Sequence, residues 1–308
     1  MEIRTVTIVG LGALGVLFGH HLAKGLPEGA LRVVADRDRI ERYEREGVYC
    51  NGEKCRFRYV APEETGESAD LILFAVKFGD LEDALRSARG QVGPETIILS
   101  LLNGISSEGI IGRALGADKV LPAVAQGMDA VKVGNHLTYA HMGMISFGDR
   151  PGGGASEKVA AVRRFFEKTR VPHEVSDDMQ RRMWGKFMLN VGVNQAVAVF
   201  ECDYGGVQRE GPARDAMIGA MREALTLARA EGVALTEDDL NYWLRVLSTL
   251  NPAGKPSMRQ DLEAGRFSEV GLFAGTVLEL GQRRGIDCPV NRMLYEKIQR
   301  MESGFRAL

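Results

Sequence analysis

The chain has 308 residues, which is more than a single compact core usually needs, so its length predicts two domains. Its composition, 45% hydrophobic and 26% charged, is that of a globular protein, and a formal net charge of −2 argues against nucleic acid or an anionic membrane as a partner. No apolar run approaches the ~20 residues of a membrane helix, and the N-terminus shows no signal-peptide pattern. These features predict a cytoplasmic protein.

The cysteines and histidines are scattered along the chain. Four cysteines occur at positions 50, 55, 202 and 288, and five histidines at positions 20, 21, 136, 141 and 173. None of them forms a Cys-x-x-Cys pair or a His/Cys set with the spacing of metal ligands. The sequence therefore predicts neither a metal site nor a disulfide framework.

The first half of the chain alternates short β-branched runs with helical stretches. Buried strands are predicted at residues 6–9, 31–35, 71–75 and 96–99. Helices are predicted between and after them, at residues 13–24, 38–46, 79–89 and 106–115. This alternation predicts a Rossmann-type, doubly wound parallel sheet. Strands near 119–124, 137–140 and 144–148 are expected to extend it, followed by a loop at 151–154, a helix at 156–169 and a strand at 171–175.

From about residue 177 the strand pattern disappears. Helices are predicted at residues 177–200, 212–231, 236–250, 257–264, 267–284 and 289–302, separated by glycine and proline stops. The fold class expected is therefore α/β, a Rossmann-type sheet domain followed by an all-helical domain. We place a dinucleotide-binding domain at 1–176 and a helical substrate and catalytic domain at 177–308.

A glycine-rich turn follows the first predicted strand and opens the first predicted helix. It reads Gly10-Leu11-Gly12-Ala13-Leu14-Gly15, the G-x-G-x-x-G fingerprint within a βαβ unit that closes near residue 35. In this fingerprint the first glycine makes the turn, the second admits the pyrophosphate and the third allows close packing of helix and strand. The free N–H groups of the helix N-terminus then bind phosphate. This segment predicts dinucleotide binding.

The end of the second strand contains conflicting signals about which dinucleotide binds. Asp36 lies 21 residues after Gly15, where an acidic residue commonly binds the ribose 2′-hydroxyl of NAD. Arg37 and Arg39 come directly afterwards, and either could hold the 2′-phosphate of NADP. Asp36 also suits the N-cap of the helix at 38–46. The sequence leaves these alternatives open.

Polar residues at the predicted sheet edge and along one predicted helix are candidates for a ligand-binding site. Lys77 and Asn103 each follow a predicted strand, at the sheet edge where α/β proteins bind ligands, although a solvated lysine and a turn asparagine are the simpler alternatives. Lys186, Asn190 and Asn194 are spaced four residues apart, so they lie along one face of a largely apolar helix. Buried polar groups need partners, which makes this column a candidate site unless Lys186 extends to solvent.

These motifs, taken together and in order, resemble the ketopantoate reductase family. Besides the glycine turn, the resemblance rests on Ala75-Val76-Lys77, Leu102-Asn103-Gly104-Ile105, Trp184-Gly185-Lys186 with its two asparagines, Lys255-Pro256-Ser257-Met258 with Asp261, and Gly265-Arg266 with Ser268-Glu269. It implies a 6-phosphogluconate-dehydrogenase-like helical domain and NADPH-dependent reduction of ketopantoate, in the synthesis of pantothenate and coenzyme A. By analogy it leaves a homodimer open.

The resemblance also implies roles for individual residues. Lys186 matches the general acid, which would protonate the alkoxide that forms when hydride reaches the keto carbon. Glu269, expected on the helix at 267–284, matches a carboxylate that contacts the substrate and organises that lysine. Asn190, Asn194 and Ser257 match substrate ligands, Lys77 is assigned to the cofactor, and Asn103 to both cofactor and substrate. Ser257 also suits the N-cap of the helix at 257–264, and Asp261 and Arg266 suit a loop contact.

The sequence departs from the family pattern at positions that bear on specificity. Gly271 and Ala274 stand where the family has polar residues, and Asp36 stands where it has arginine. The coenzyme is therefore NADPH by resemblance, with NADH open because of Asp36. Two alternatives to ketopantoate reduction remain: a related reductase of another keto or hydroxy acid, and a non-catalytic dinucleotide sensor.

Overall fold

The computed structural model describes residues 1–64, 66–149 and 156–305. The chain divides into two compact units, Met1–Gln180 and Arg181–Leu308. The loop expected at 151–154 lies outside the described residues. Among the described residues, no helix combines the length and the apolar character that a membrane span requires.

The first unit is built on a six-stranded parallel sheet. Its strands in chain order are β1 (Val6–Val9), β2 (Leu31–Val34), β5 (Arg58–Val60), β6 (Ala69–Phe74), β7 (Val92–Ser100) and β8 (Val120–Leu121). Their order across the sheet is β5-β2-β1-β6-β7-β8. The central strands are buried on both faces, which explains their nearly continuous apolar sequences. The four strands predicted from the sequence are confirmed.

Helices cover this sheet on both faces and connect its strands. They are α1 (Ala13–Gly25), α2 (Arg37–Glu46), α3 (Leu81–Ala88), α4 (Ser107–Leu115) and α5 (Glu157–Thr169), with 3₁₀ turns at Phe78–Asp80 and Arg89–Gln91. Two apolar cores separate the layers, one containing Phe18 and Phe166 and the other Phe74 and Ile111. The Rossmann-type arrangement predicted from the sequence is confirmed.

Two smaller sheets correct the prediction for residues 119–148. Only Val120–Leu121 joins the parallel sheet. The strands β9 (Ala123–Met128), β12 (Met142–Phe147) and β13 (His173–Val175) form a separate three-stranded sheet. A four-stranded sheet contains β3 (Tyr49–Cys50), β4 (Glu53–Lys54), β10 (Val131–Val133) and β11 (His136–Thr138). The expected extension of the main sheet is therefore confirmed for the strand predicted at 119–124, which is β8, and wrong for those at 137–140 and 144–148, because β11 pairs with β3 and β10, and β12 with β9 and β13.

The second unit is helical, as predicted. Its helices are α6, which runs from Met179 to Val199, followed by α7 (Tyr204–Gln208), α8 (Pro212–Ala230), α9 (Glu237–Ser248), α10 (Ser257–Glu263), α11 (Thr276–Arg284) and α12 (Pro289–Glu302). The short helix α7 was not predicted. The helix predicted at 267–284 begins later than expected, with a π-helical turn at Gly271–Gly275 that leads into α11.

A buried hydrogen-bond network joins three helices of the second unit. Gln195 of α6 donates from Nε2 to Asn291 Oδ1 of α12 at 3.0 Å. Asn291 Nδ2 donates to Glu223 Oε2 of α8 at 2.8 Å. The Glu223 carboxylate also accepts the backbone N–H groups of Val290 and Asn291 at the start of α12, at 2.8 and 2.9 Å. Because Gln195 and Asn291 are fully buried, these bonds fix the packing of α6, α8 and α12.

Candidate active site

The glycine turn of the first unit has the shape that a dinucleotide cradle requires. Gly10 has a φ of +95°, and a Cβ at this position would overlap Val76 Cγ1 and lie 3.0 Å from the carbonyl oxygen of Ala75. A Cβ on Gly12 would lie 3.2 Å from that same oxygen. A Cβ on Gly15 would overlap the carbonyl oxygen of Gly10. The conformation and the close approach therefore both require glycine at this turn.

The N-terminus of α1 continues directly from this turn. Gly12 is the N-cap, and its carbonyl accepts the first helical hydrogen bond from Val16 N at 3.1 Å. The first turn of the helix carries no acidic side chain, so the positive end of its dipole is not neutralised from within the turn. Leu11 is buried in the core, and Ala13 and Leu14 pack against that core. Such a helix start binds phosphate through its free N–H groups.

A cleft lies beside the turn, at the carboxyl ends of β1, β2 and β6. Its lining includes Gly10, Leu11, Val34, Asp36, Arg39, Tyr43, Val76, Asp80 and Asp83. A crevice at this edge of a doubly wound sheet is where such folds bind the adenosine part of a dinucleotide. Asp80 and Asp83 were not predicted, because no motif marks the residues that the 3₁₀ turn before α3 and the first turn of α3 bring to the cleft.

Asp36 is the N-cap of α2 as well as part of the cleft lining. Its Oδ1 accepts Arg39 N at 2.8 Å, and its Oδ2 lies 3.3 Å from Arg39 Nε. The predicted capping role is confirmed, and it leaves the carboxylate about half exposed. Arg37, one residue further on, donates from Nε to the Glu63 carboxylate.

Lys77 and Asn103 lie just beyond two neighbouring strands of the parallel sheet. Lys77 is the exposed residue before the 3₁₀ turn that follows β6, and Asn103 is half-buried between β7 and α4. Because β6 and β7 are hydrogen-bonded neighbours, their carboxyl ends bring both residues to the same edge of the sheet as the glycine turn. Their assignment to the cofactor and to the substrate stays a prediction.

A buried polar cluster that was not predicted joins the two ends of the segment that contains Asn103. The Ser100 and Ser107 hydroxyls are 2.8 Å apart, and Ser107 Oγ donates to Glu108 Oε2 at 3.1 Å. Leu102 N donates to Ser100 Oγ at 3.4 Å. These bonds connect the end of β7 to the start of α4 and so support the intervening loop.

In the second unit, α6 carries the predicted column of polar residues. Lys186 and Asn190 are half-buried, and Asn194 is 6% exposed. Asn194 Nδ2 donates to Asn190 Oδ1 at 3.4 Å, so the two amides are in contact along one helix face. Trp184 and Phe187 on the same helix are buried and meet edge to face. The polar column therefore lies among largely apolar neighbours on this helix.

Asn194 also connects α6 to the start of α10. Its Oδ1 accepts Met258 N at 3.3 Å and Ser257 Oγ at 3.4 Å. The structure thus brings Asn190, Asn194 and Ser257 into one hydrogen-bonded group. Pro256, rather than Ser257, is the N-cap of α10, so the predicted capping role of Ser257 is wrong. The amide oxygen of Asn194 instead satisfies a free N–H group of the first turn.

Glu269 lies at the end of the loop after α10, not within a helix. The side chain is half-buried, and the Glu269 carbonyl accepts Leu272 N at 2.9 Å and Phe273 N at 3.2 Å. Its expected position on a helix is therefore wrong, because the helical turns begin only at Gly271. Asp261 pairs with Arg266 at 2.8 Å and braces this loop, as predicted.

Side chains of the kinds that bind metal ions are dispersed in the part of the chain that the structure describes. Within it, no three His, Cys, Asp or Glu side chains are grouped so that they could hold a metal ion. All four cysteines are free thiols.

Comparison with known proteins assigns both halves of the chain to one family. The family model described as ketopantoate reductase PanE/ApbA matches residues 6–152, and the model of its C-terminal part matches residues 178–302. A 2-dehydropantoate 2-reductase from Archaeoglobus fulgidus is 29% identical over 307 residues, which cover 99% of this chain and 100% of the relative.

Solved structures show the same architecture. A PanE/ApbA family ketopantoate reductase from Ralstonia eutropha superposes with a TM-score of 0.82 at 27% identity, covering 97% of this chain and 98% of that one. A D-mandelate dehydrogenase in complex with NADH gives a TM-score of 0.85 at 20% identity, covering 98% and 100% of the two chains, which shows a shared fold. The resemblance inferred from the motifs is confirmed, and the chain belongs to the ketopantoate reductase family.

Proposed function

We propose that this protein reduces a 2-keto acid to a 2-hydroxy acid with a nicotinamide dinucleotide, and that ketopantoate is the substrate. The observation that carries the proposal is the half-buried Lys186, which lies on α6 in line with Asn190 and Asn194 in a member of this family. In this proposal the first unit binds the dinucleotide and the second unit provides the acid and the substrate ligands.

The residues of the glycine turn fit a dinucleotide. A Cβ at Gly10 or Gly15 would overlap neighbouring atoms, so the backbone is kept free of side chains where a pyrophosphate would approach it. The helix N-terminus at Gly12 offers N–H donors to the phosphates. When bound, the reduced nicotinamide supplies the hydride that the keto carbon accepts.

The side chains of the second unit would complete the reaction. The Lys186 ammonium stabilises the negative charge that develops on the substrate oxygen and donates the proton that turns it into a hydroxyl. Asn190 and Ser257 are proposed to hold the substrate through its carboxylate or hydroxyl groups, while Asn194 fixes both by the contacts described above. Glu269 is proposed to orient the substrate and the lysine.

Substitution of Lys186 tests this mechanism. We expect Lys186→Ala to lower kcat/KM for ketopantoate by about 100-fold to 10,000-fold, the usual effect of removing a general acid. Dinucleotide binding should change by less than about twofold, because binding depends on the first unit. Lys168→Ala, which removes an exposed lysine near the end of α5, is the matched control and should behave as the wild type. Near-normal turnover in Lys186→Ala would contradict the assignment.

A substrate panel separates the proposal from its competitors. The oxidation of NADH and NADPH is followed by absorbance with ketopantoate and with other 2-keto acids. Preferred turnover of ketopantoate supports the proposal, and preferred turnover of another keto acid assigns a different substrate to the same chemistry. Dinucleotide binding without oxidation across the whole panel would identify a sensor instead of an enzyme.

A further inference from the structure

The choice between NADH and NADPH depends on what surrounds the adenosine ribose. Asp36 follows the end of β2, lines the cleft beside the glycine turn and has its Oδ1 fixed by Arg39 N at 2.8 Å. In doubly wound folds, an acidic side chain at this position accepts a hydrogen bond from the ribose 2′-hydroxyl. The side chain is about half exposed, and its Oδ2, which lies 3.3 Å from Arg39 Nε, keeps lone pairs that can accept a further hydrogen bond.

The two arginines that follow Asp36 are already engaged with carboxylates. Arg37 donates to Glu63 and is not part of the cleft lining that the described residues form. Arg39 does line the cleft, but its Nε lies 3.3 Å from Asp36 Oδ2. Each guanidinium faces its carboxylate through Nε, so a 2′-phosphate would bind the remaining N–H groups and share the positive charge with that carboxylate. The attraction that each arginine offers a phosphate is weakened accordingly.

The charge balance of the cleft adds to this effect. Its lining contains three carboxylates, on Asp36, Asp80 and Asp83, and one guanidinium, on Arg39. A 2′-phosphate brings a further charge of about −1.5 to −2 at neutral pH. Asp83 is paired with Arg86 and Asp36 with Arg39, which leaves Asp80 as the uncompensated carboxylate of the lining, so the cleft as a whole repels that charge. A ribose with a free 2′-hydroxyl meets no such repulsion.

We propose that this protein uses NADH in preference to NADPH and that the Asp36 carboxylate determines the preference. The inference rests on the proposed function, because it concerns the coenzyme of that same site. It departs from the NADPH dependence that the family resemblance implies. Its physical basis is one acceptor for the 2′-hydroxyl and a cleft whose negative charge opposes a 2′-phosphate.

The test is a comparison of NADH and NADPH binding in the absence of substrate, by nucleotide fluorescence or calorimetry. We expect the wild type to bind NADH at least about tenfold more tightly, from the repulsion between close charges in water. Asp36→Asn keeps an effective N-cap for α2 but removes the charge, so the two affinities should converge to within about threefold, mainly through tighter NADPH binding.

Two further variants make the comparison specific. Asp38→Asn removes the same charge from the first turn of α2, at an exposed residue outside the cleft lining, and should leave the preference as in the wild type. Arg37→Ala should leave NADPH affinity unchanged, whereas loss of NADPH affinity would mean that Arg37 binds the 2′-phosphate and would overturn the inference.

The remaining outcomes separate this inference from the proposed function. Equal or tighter binding of NADPH by the wild type would overturn the inference and leave the reductase assignment in place. An unchanged preference in Asp36→Asn would overturn the role of Asp36. A folded wild type that binds neither dinucleotide would overturn the proposed function itself.

Discussion

The close packing of α1 against the glycine turn can be tested by replacing each of the three glycines of this helix with alanine, one at a time. Gly15 lies over the turn, and its added Cβ would overlap the carbonyl oxygen of Gly10 and lie 3.0 Å from the carbonyl carbon. Gly19 lies further along, where a Cβ would be 2.8 Å from Ile8 Cδ1 and 3.2 Å from the ring of Phe57. Gly25 ends the helix, with no atom within 4 Å of an added Cβ.

The expected magnitudes follow from these distances. Alanine favours the helix by up to about 1 kcal/mol relative to glycine, so Gly25→Ala should raise the unfolding free energy by roughly half that amount or more. At Gly15 the obstacle is backbone, which cannot rotate away, so the cost of overpacking should be about 3 kcal/mol. The net loss of about 2 kcal/mol corresponds to a Tm lower by about 4–8 °C for a unit of this size. Gly19→Ala should fall between them, because its neighbours are side chains.

The assay measures thermal unfolding and dinucleotide affinity for the three variants in parallel. Gly15→Ala should weaken binding of the dinucleotide by at least about tenfold, because the turn must move to accommodate the new Cβ. Gly25→Ala should bind as the wild type does, since it lies at the other end of the helix.

The ranking itself is the critical result. If Gly15→Ala were as stable as Gly25→Ala and bound the dinucleotide equally well, the close approach of α1 to the glycine turn would not be a requirement of the site. Equal losses in all three variants would indicate a general effect on the helix rather than a specific overlap at Gly15.

Three other predictions concern pH, stability and substrate binding. Burial lowers the pKa of His20 below its usual value of 6.5, so the unfolded chain binds the proton more readily than the folded protein. The free energy of unfolding should therefore decrease as the pH is lowered from about 7.5 to about 5.5. In His20→Gln this decrease should be smaller. Asn291→Ala should cost about 2–4 kcal/mol in denaturant unfolding because it breaks the Gln195–Asn291–Glu223 network, whereas exposed Asn241→Ala should change stability by less than about 0.5 kcal/mol. Asn190→Ala should raise KM for the keto acid about tenfold without a large change in Tm, and an unchanged KM would remove this residue from the substrate site.

The main sheet and the helical half were predictable because their signals are local and strong. Strands buried on both faces read as continuous apolar runs, and long helices show clear stops at glycine and proline. In the two small sheets, the strands predicted near 137–140, 144–148 and 171–175 are present, but their pairing was not predicted. The strands β3, β4 and β10 were missed, because segments of two or three residues show no periodicity. One local signal was available: Asn51-Gly52 forms the turn between β3 and β4, with φ values of 47° and 82°.

For the candidate site, the sequence predicted which residues share one helix face but not which residues of other elements contact them. The spacing of Lys186, Asn190 and Asn194 was sufficient to place them on one helix face. Their link to Ser257 could not be predicted, because Asn194 on α6 and Ser257 at the start of α10 are 63 positions apart in the sequence. The position of Glu269 before the helix also escaped prediction, because the π-helical turn at Gly271–Gly275 begins without a capping residue that the sequence would reveal.

The sequence by itself determined the class of ligand. Glycines at positions 10, 12 and 15, between a strand and a helix, match the fingerprint of a dinucleotide-binding turn. Only the tertiary structure decided how the charged side chains of the cleft beside the glycine turn are arranged. Asp36, Arg37 and Arg39 are close in sequence and support either coenzyme. Folding pairs Arg37 with Glu63 and brings Asp80, from the 3₁₀ turn before α3, and Asp83, from α3, to the same cleft. Charges act through space, so the preference for NADH that we propose depends on segments that only the fold brings together.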